Sequence, residues 1–291
     1  MSGPVAGLLG SGERLHLQHG PIDLIIGADP LAPQTRELAF RAAADRFETI
    51  LQEIVSELPL LRSVPEARLP IGAVARRMYR AVKRHAAGCF VTPMAAVAGS
   101  VADEVLAAML RSTPLNRAYV NNGGDIALHL ESGTHFTTAM AGLSGTDLGR
   151  AIIPAESGIN GIATSGQGGR SLSLGIADAV TVLAANAADA DVAATLIANA
   201  VDLPGHPSIN RKPANEIQPD SDLGTRPVVT GRGNLTFHEC GQALQAGMLV
   251  ATRMLSDGLI AGAALHLQGE QRIVGASCLS SKQNKQMVEY A

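Results

Sequence analysis

Two stretches of this chain are built almost wholly of small residues, and they constrain the fold more than any other feature. TPMAAVAGSVADEVLAAML (92–110) fills the segment from Val91 to Arg111, and Ala187 to Val201 reads as a second helix of the same kind. Small side chains let a backbone come close to a sheet, another helix or a ligand. Such elements gain little from their own bulk, so the fold must press them tightly against something, a symmetry mate included.

The segments around them alternate in blocks. Residues 13–28 read as a hairpin, ERLHLQ turning at HGP into IDLIIGA, and the Pro-rich run 29–33 breaks it. Leu38, Phe47, Ile50, Leu51, Ile54 and Leu58 recur at helical spacing over 34–58. LRSVPEARLP (61–70) is a loop, and Ile71 to His85 a second helix. Short strands are predicted at 117–121, 125–131, 134–142 and 150–154, and a Gly-rich turn between two strands at 161–184. Residues 202–226 read as a long irregular connection, longer than most loops. A short strand at 228–230, a helix over 236–257 and strands at 259–268 and 271–278 complete the pattern. Blocks of this kind favour an α+β architecture with helices layered on an antiparallel sheet. The predicted organisation is an N-terminal tail (1–12), a single α+β domain (13–279) and a polar tail (280–291).

At 291 residues the chain can bury a core without metal or disulfide support. Its three cysteines, Cys89, Cys240 and Cys278, exclude a disulfide scaffold or a clustered-thiolate zinc site. A net charge of −3, no Trp and 3% aromatic residues argue against a nucleic-acid partner. The start has neither a basic region nor a long apolar run, and no uninterrupted apolar span of membrane length follows. The expectation is a cytoplasmic protein with no membrane partner, in which the sequon at Asn234 goes unused.

Four clusters carry candidate chemistry. In VNNGGDI (120–126), Gly123 and Gly124 expose backbone N–H groups and Asp125 sets a carboxylate at the turn. The same residues suit an ordinary hairpin turn. In ATSGQGGRS (163–171), Thr164, Ser165, Gly166 and Arg170 suit a phosphate or carboxylate, although Gly content of this kind also suits a plain loop. The Walker ending and the dinucleotide-binding glycine spacing are both missing. Asp191 and Thr195 lie four apart on one helix face and can offer oxygens to a hard cation such as Mg²⁺, or belong to a capped, solvated first turn that Asp189 helps to start. Arg76, Arg80, Lys83 and Arg84 form a basic stripe, usually no more than a solvated face. His85, His206 and His238 lack metal-ligand spacing, and Cys89 beside Phe90 reads as a buried small residue.

Taken in order, these clusters resemble the ApbE-like superfamily, named for flavin transferases that attach FMN covalently to proteins, and most closely its uncharacterised UPF branch. The resemblance rests on TPMAAVAGSVAD (92–103), VNNGGDIAL (120–128), GIATSGQGGRSLSLGIADAVTVLA (161–184), DADVAATLIANAVD (189–202) and SDLGTRPVVT (221–230), and spans roughly residues 13–270. It implies two interleaved helix/antiparallel-sheet halves, related to the tunnelling folds that bind purines and pterins. It implies Mg²⁺ held by the Ala95 carbonyl, Asp191 and Thr195, and a nucleotide site lined by Gly123, Gly124, Asp125, Thr164, Ser165 and Gly166. Ala98 stands where the transferases carry Lys and Ser100 where they carry Tyr; Asp103 matches the Asp that follows. GRSLSLG (169–175) replaces a His-Ile-x-Asp-Pro segment that grips FAD. Two parts of an FAD site are thus replaced, which points away from true FMN transfer.

The functional expectation is a Mg²⁺-assisted enzyme, a transferase by resemblance, acting on a small anionic flavin-, nucleotide- or pterin-like ligand, with FAD or FMN as the flavin. Asp125 and Arg170 are its candidate catalytic residues and Ser100 joins the cofactor-binding set. The alternative is a non-catalytic accessory or binding protein with a protein partner, for example in sulfur (homocysteine) metabolism or cofactor assembly. A homodimer is expected in either case.

Overall fold

The computed structural model describes residues 3–32, 34–66, 68–85, 88–141, 147–169, 171–275 and 278–280. In chain order the first elements are β1 (Val5–Leu9), β2 (Arg14–His19), β3 (Ile22–Pro30), α1 (Thr35–Ser56), α2 (Leu58–Leu61) and α3 (Ala73–Lys83). A 3₁₀ turn, Pro93–Ala96, leads into α4 (Val97–Ser112), then β4 (Leu115–Asn122), β5 (Asp125–Leu130), β6 (His135–Ala141), β7 (Asp147–Pro154), β8 (Gly161–Ser165) and β9 (Ala179–Ala184). The chain continues through α5 (Ala187–Ala200), β10 (Ile209–Pro213), α6 (Ala214–Ile217), β11 (Pro227–Arg232), α7 (Phe237–Ser256), β12 (Gly262–Leu267), β13 (Glu270–Gly275) and β14 (Leu279–Ser280). The fold is α+β with antiparallel strand pairing.

Two compact units divide the chain: one within residues 1–135, 154–163 and 184–192, the other within 136–153, 164–183 and 193–291. The chain passes between them five times, inside β6, β7, β8, β9 and α5.

In the first unit the strands run in the order β1-β2-β3-β4-β5-β8. Alternation places Leu15 and Leu17 of β2, Leu24 and Ile26 of β3, and Leu115, Ala118 and Val120 of β4 in the core. Helix α4 packs on β4 and β5 and against α1 and α3. Its burial explains its composition: Val101, Ala102, Val105 and Met109 are fully enclosed. Pro93–Ser112 has the length and mean hydropathy (1.4) of a membrane span, with 61% of that stretch buried inside the protein. Helix α3 is amphipathic. Val74, Ala75, Met78, Tyr79 and Val82 face inward while Arg76, Arg80 and Lys83 face solvent, so this part of the basic stripe is a solvated face.

Glu104, buried on α4, accepts from Arg46 Nε and Arg77 Nε, each at 3.0 Å, and so ties together α1, α3 and α4. Arg46 also pairs with Glu53 at 2.8 Å.

The second unit holds β9-β12-β13, the pair β10-β11, and β14-β7-β6. Helix α7 covers β12 and β13 and starts on a capping box in which Thr236 and Glu239 satisfy each other's amides.

Two expectations are corrected. Val5–Leu9, assigned to the N-terminal tail, forms β1 and pairs with β2 from Val5↔Gln18 to Leu9↔Arg14. Its side chains are mostly exposed, so no apolar alternation marks it; backbone bonding to β2 makes the strand. Residues 202–226, expected to be irregular, contain β10 and α6. Asp202 and the Leu174 carbonyl hold Arg211 while β10 pairs with β11. Of the expected C-terminal tail, Ser280 lies in β14 and 281–291 fall outside the described residues.

Candidate functional site

A helix begins with amide groups that its own hydrogen bonds cannot satisfy. In α4 the Ala98 and Gly99 amides are satisfied by the carboxylate of Asp191, with Gly99 N donating to Oδ2 at 3.0 Å. In α5 the Ala187 and Ala188 amides are satisfied by Asp103 of α4, at 3.1 and 3.0 Å. The next α5 amide, Asp189 N, donates to Asn186 Oδ1 at 2.8 Å, and Ala190 N to the Asn186 carbonyl. Asn186, not Asp189, is therefore the N-cap. Asp189 accepts from Asn186 Nδ2 and Arg84. Each of the two helices thus lends a carboxylate to the start of the other.

Close approach makes this exchange work. A β-carbon on Gly99 would lie 2.2 Å from the Ala187 carbonyl oxygen, and one on Gly161 would lie 2.0 Å from the carbonyl carbon of Asn186. Both glycines are required by backbone contact.

The β4–β5 hairpin closes over the same region. Asn122 pairs with Asp125 in register, and Gly123 and Gly124 form the two-residue turn with φ of 66° and 116°. Two successive positive φ values are what such a turn demands. Gly124 N donates to Asn121 Oδ1 at 2.8 Å, and Asn122 Nδ2 donates to the Ala98 carbonyl at 3.1 Å, tying the hairpin to the start of α4. Ser100, one residue beyond Gly99, is fully buried, and its hydroxyl oxygen has no hydrogen-bond partner among the described residues.

Three carboxylates act on one another here: the charges of Asp125 and Asp103 both raise Asp191. Asp191 keeps part of its surface in contact with solvent, but its carboxyl group lies deep. Desolvation, and then the nearby charge of Asp125, push it well above the usual carboxylate range, against the pull of the Ala98 and Gly99 amides. Asp103 is raised to about 6, mainly by desolvation; its amide donors and Arg77 oppose the shift. Among the described residues no three His, Cys, Asp or Glu side chains come together closely enough to hold a metal ion, so a divalent cation here would need hydroxyl, carbonyl or ligand oxygens beside the Asp191 carboxylate.

The other candidates sit elsewhere along the chain. Thr195 lies one turn after Asp191 on α5. Ala95 is in the 3₁₀ turn before α4, its amide bonded to the Thr92 carbonyl at 3.1 Å. In the second unit Thr164 Oγ1 is 2.9 Å from Thr181 Oγ1, and Ser165 ends β8. Gly166 has φ of 147° and packs on the Asp178 carbonyl. Arg170 lies outside the described residues. Arg84, from the basic stripe, pairs with Asp189 at 2.7 Å. Cys89, expected to be buried, is exposed, yet desolvation of its sulfur pushes the thiol up. Its Sγ donates to the His85 carbonyl at 3.1 Å. It is a thiol at neutral pH, without the depressed pKa that sulfur transfer needs.

Sequence reasoning missed Asn122, Asn186 and Gly161, and gave Asp103 no role. Asn186 was findable, because an Asn three residues before an Asp at a helix start is a capping signal. Asn122 and Asp103 act across long sequence separations and leave no local signal.

Among similar proteins, the UPF0280 protein of Methanothrix thermoacetophila is 35% identical over 171 residues, covering 57% of this chain and 69% of that protein. The UPF0280 protein of Methanosphaerula palustris is 39% identical over 134 residues, 44% of this chain and 53% of that protein. The chain thus spans about half to two thirds of the length of these curated relatives. Among solved structures, the ApbE protein of Thermotoga maritima aligns with a TM-score of 0.48 at 11% identity, covering 96% of this chain and 99% of that one. The flavin transferase ApbE from Vibrio cholerae aligns with a TM-score of 0.39 at 14% identity, covering 91% and 98%. A family model described as AbpE bacteria matches residues 6–273, nearly the whole chain. The chain belongs to this ApbE-like family and is a relative of the UPF0280 proteins.

Proposed function

We propose that this protein is a Mg²⁺-assisted enzyme acting on a small anionic ligand of the flavin, nucleotide or pterin kind, and that it is not a true FMN transferase. The observation that carries the reading is the deep Asp191 carboxyl group at the amide end of α4, with Gly99 N at 3.0 Å and the charge of Asp125 acting on it, two carboxylates whose repulsion a divalent cation relieves. Family membership supports it. Asp191, the Thr195 hydroxyl and the Ala95 carbonyl would hold the ion; all three are hard oxygen donors. The chemistry such an ion supplies is neutralisation of phosphate charge and polarisation of a phosphoryl oxygen.

The chain's own groups take the remaining roles in this proposal. Asp125 accepts a proton or a hydrogen bond from the ligand. Gly123 and Gly124 let the backbone approach it, and Ser100 offers its unsatisfied hydroxyl. By the family resemblance, Thr164, Ser165 and Gly166 are assigned to cofactor binding and Arg170 to the anionic group. The reading extends to the finer fold, two interleaved halves related to the tunnelling folds. Ala98 and Ser100, in place of the transferases' Lys and Tyr, support a ligand other than an FAD that donates FMN.

Calorimetry with Mg²⁺, alone and with FAD, FMN, ATP or a reduced pterin, tests it. Wild-type protein should bind Mg²⁺ and Asp191→Ala should not. Equal affinity in both, or no binding by the wild type, overturns the proposal. FMN released from FAD and attached to protein would overturn the narrower claim against FMN transfer.

A further inference from the structure

We propose that Asp103 is the positioning residue of the Asp191 site: it fixes the start of α5 on α4, and thereby sets where the Asp191 carboxylate stands. The inference rests on the cation reading of Asp191 and goes beyond it, because Asp103 acts through the Ala187 and Ala188 amides rather than on the ion.

The two helix starts form a closed circuit. Asp103, in the second turn of α4, holds the Ala187 and Ala188 amides of α5. One turn later on α5, Asp191 reaches back to the Ala98 and Gly99 amides of α4. The positive ends of two helix dipoles meet here, and two carboxylates neutralise them. Neither end could approach the other without this compensation, nor without Gly99, whose missing side chain admits the Ala187 carbonyl.

Between Ala188 and Asp191 lies less than one helical turn, and a helix is stiff over that length. A shift of the α5 start is therefore delivered undiminished to Asp191. One carboxylate oxygen of Asp191, Oδ2, is committed to the Gly99 amide. Its placement decides how the remaining oxygen is presented to a cation. Asp103 thus plays the part that outer carboxylates play around many metal ligands.

Asp103→Asn is the informative variant. It keeps the shape but replaces one acceptor oxygen with an NH₂ group, so one of the two α5 amides loses its partner. Mg²⁺ titration by calorimetry and amide hydrogen exchange are measured on the full chain, wild type and variant. The expected loss of Mg²⁺ affinity is about tenfold or more. Exchange should quicken at Ala187 and Ala188, and also at Ala98 and Gly99, which residue 103 does not touch. Unchanged exchange at Ala98 and Gly99 overturns the circuit, and unchanged Mg²⁺ affinity overturns the positioning role. A wild type that binds no Mg²⁺ overturns the cation reading and the positioning role with it, while the exchange data still judge the circuit. If the variant does not fold, the wild type alone decides: Mg²⁺ should slow exchange at Ala187 and Ala188, and an effect confined to Ala98 and Gly99 refutes the proposal.

Discussion

Gly99 lies flush against the carbonyl of Ala187, so close that a β-carbon built on it would fall 2.2 Å from that oxygen. The contact is backbone on backbone and cannot be relieved by turning a side chain. Gly99→Ala must push α4 and the start of α5 apart, and both carboxylate caps loosen together. The expected cost is about 3 kcal/mol, the upper end for overpacking a tight core, read as a fall in the urea midpoint. An equally stable Gly99→Ala protein would show that the helix starts are not held in this contact.

Asp103 gives the chain a pH dependence of defined sign. Its folded pKa, about 6, lies above the ordinary aspartate value of 3.8, so the folded state binds the proton more tightly than the unfolded one. The stabilisation is complete below pH 3.8 and lost as pH rises towards about 6. Asp191 shifts in the same direction, while Glu53 and Glu104 are lowered by their arginines and act oppositely. Comparison of wild type with Asp103→Asn isolates the first contribution. The difference in unfolding free energy between the two should change by on the order of 2 kcal/mol across that window, allowing for the part of Asp103 that meets water. A difference independent of pH would place Asp103 at an ordinary carboxylate pKa.

Glu104 is the most exacting charge in the first unit. It is buried, and Arg46 and Arg77 each hold one of its oxygens at 3.0 Å. Glu104→Gln keeps the shape but strips the charge from a site with two hydrogen-bonded guanidinium partners and a third, Arg111, at 3.9 Å. Removing one member of such a group typically costs about 3–5 kcal/mol, because the others remain desolvated without a counter-charge. Equilibrium unfolding in urea checks it; a change under about 1 kcal/mol would mean that water already solvates the arginines.

What the sequence made legible follows the range of each interaction. Periodicity placed α1, α3 and α7 and the strands of the β4–β5 hairpin, because amphipathic spacing is local. Small-residue composition marked α4 and α5 as elements of close approach, and Gly99 and Gly161 bear that out. β1 escaped because a mostly exposed edge strand carries no alternation. The Glu104 network escaped because its arginines come from α1 and α3, far away in sequence. In the candidate site, Asp125 and Asp191 were named from local motifs. The action of one charge on the other, and the caps that orient Asp191, depend on pairings across more than 60 residues that no local pattern encodes.

Ser100 separates stability from function. Its hydroxyl oxygen is fully enclosed and has no partner among the described residues. A buried hydroxyl without a hydrogen bond costs about 1–3 kcal/mol, and nothing in the fold is gained from it. Ser100→Ala should therefore be neutral or raise the unfolding free energy by about 1 kcal/mol. If the hydroxyl belongs to the ligand site, the same substitution should weaken binding of whichever flavin, nucleotide or pterin the calorimetric panel identifies, by about 0.5–1.5 kcal/mol for a neutral hydrogen bond. Residues kept at a cost to stability are those that binding uses. A variant that is more stable and binds as well as the wild type would remove Ser100 from the site, and one that is less stable would show that the hydroxyl has a partner within the fold.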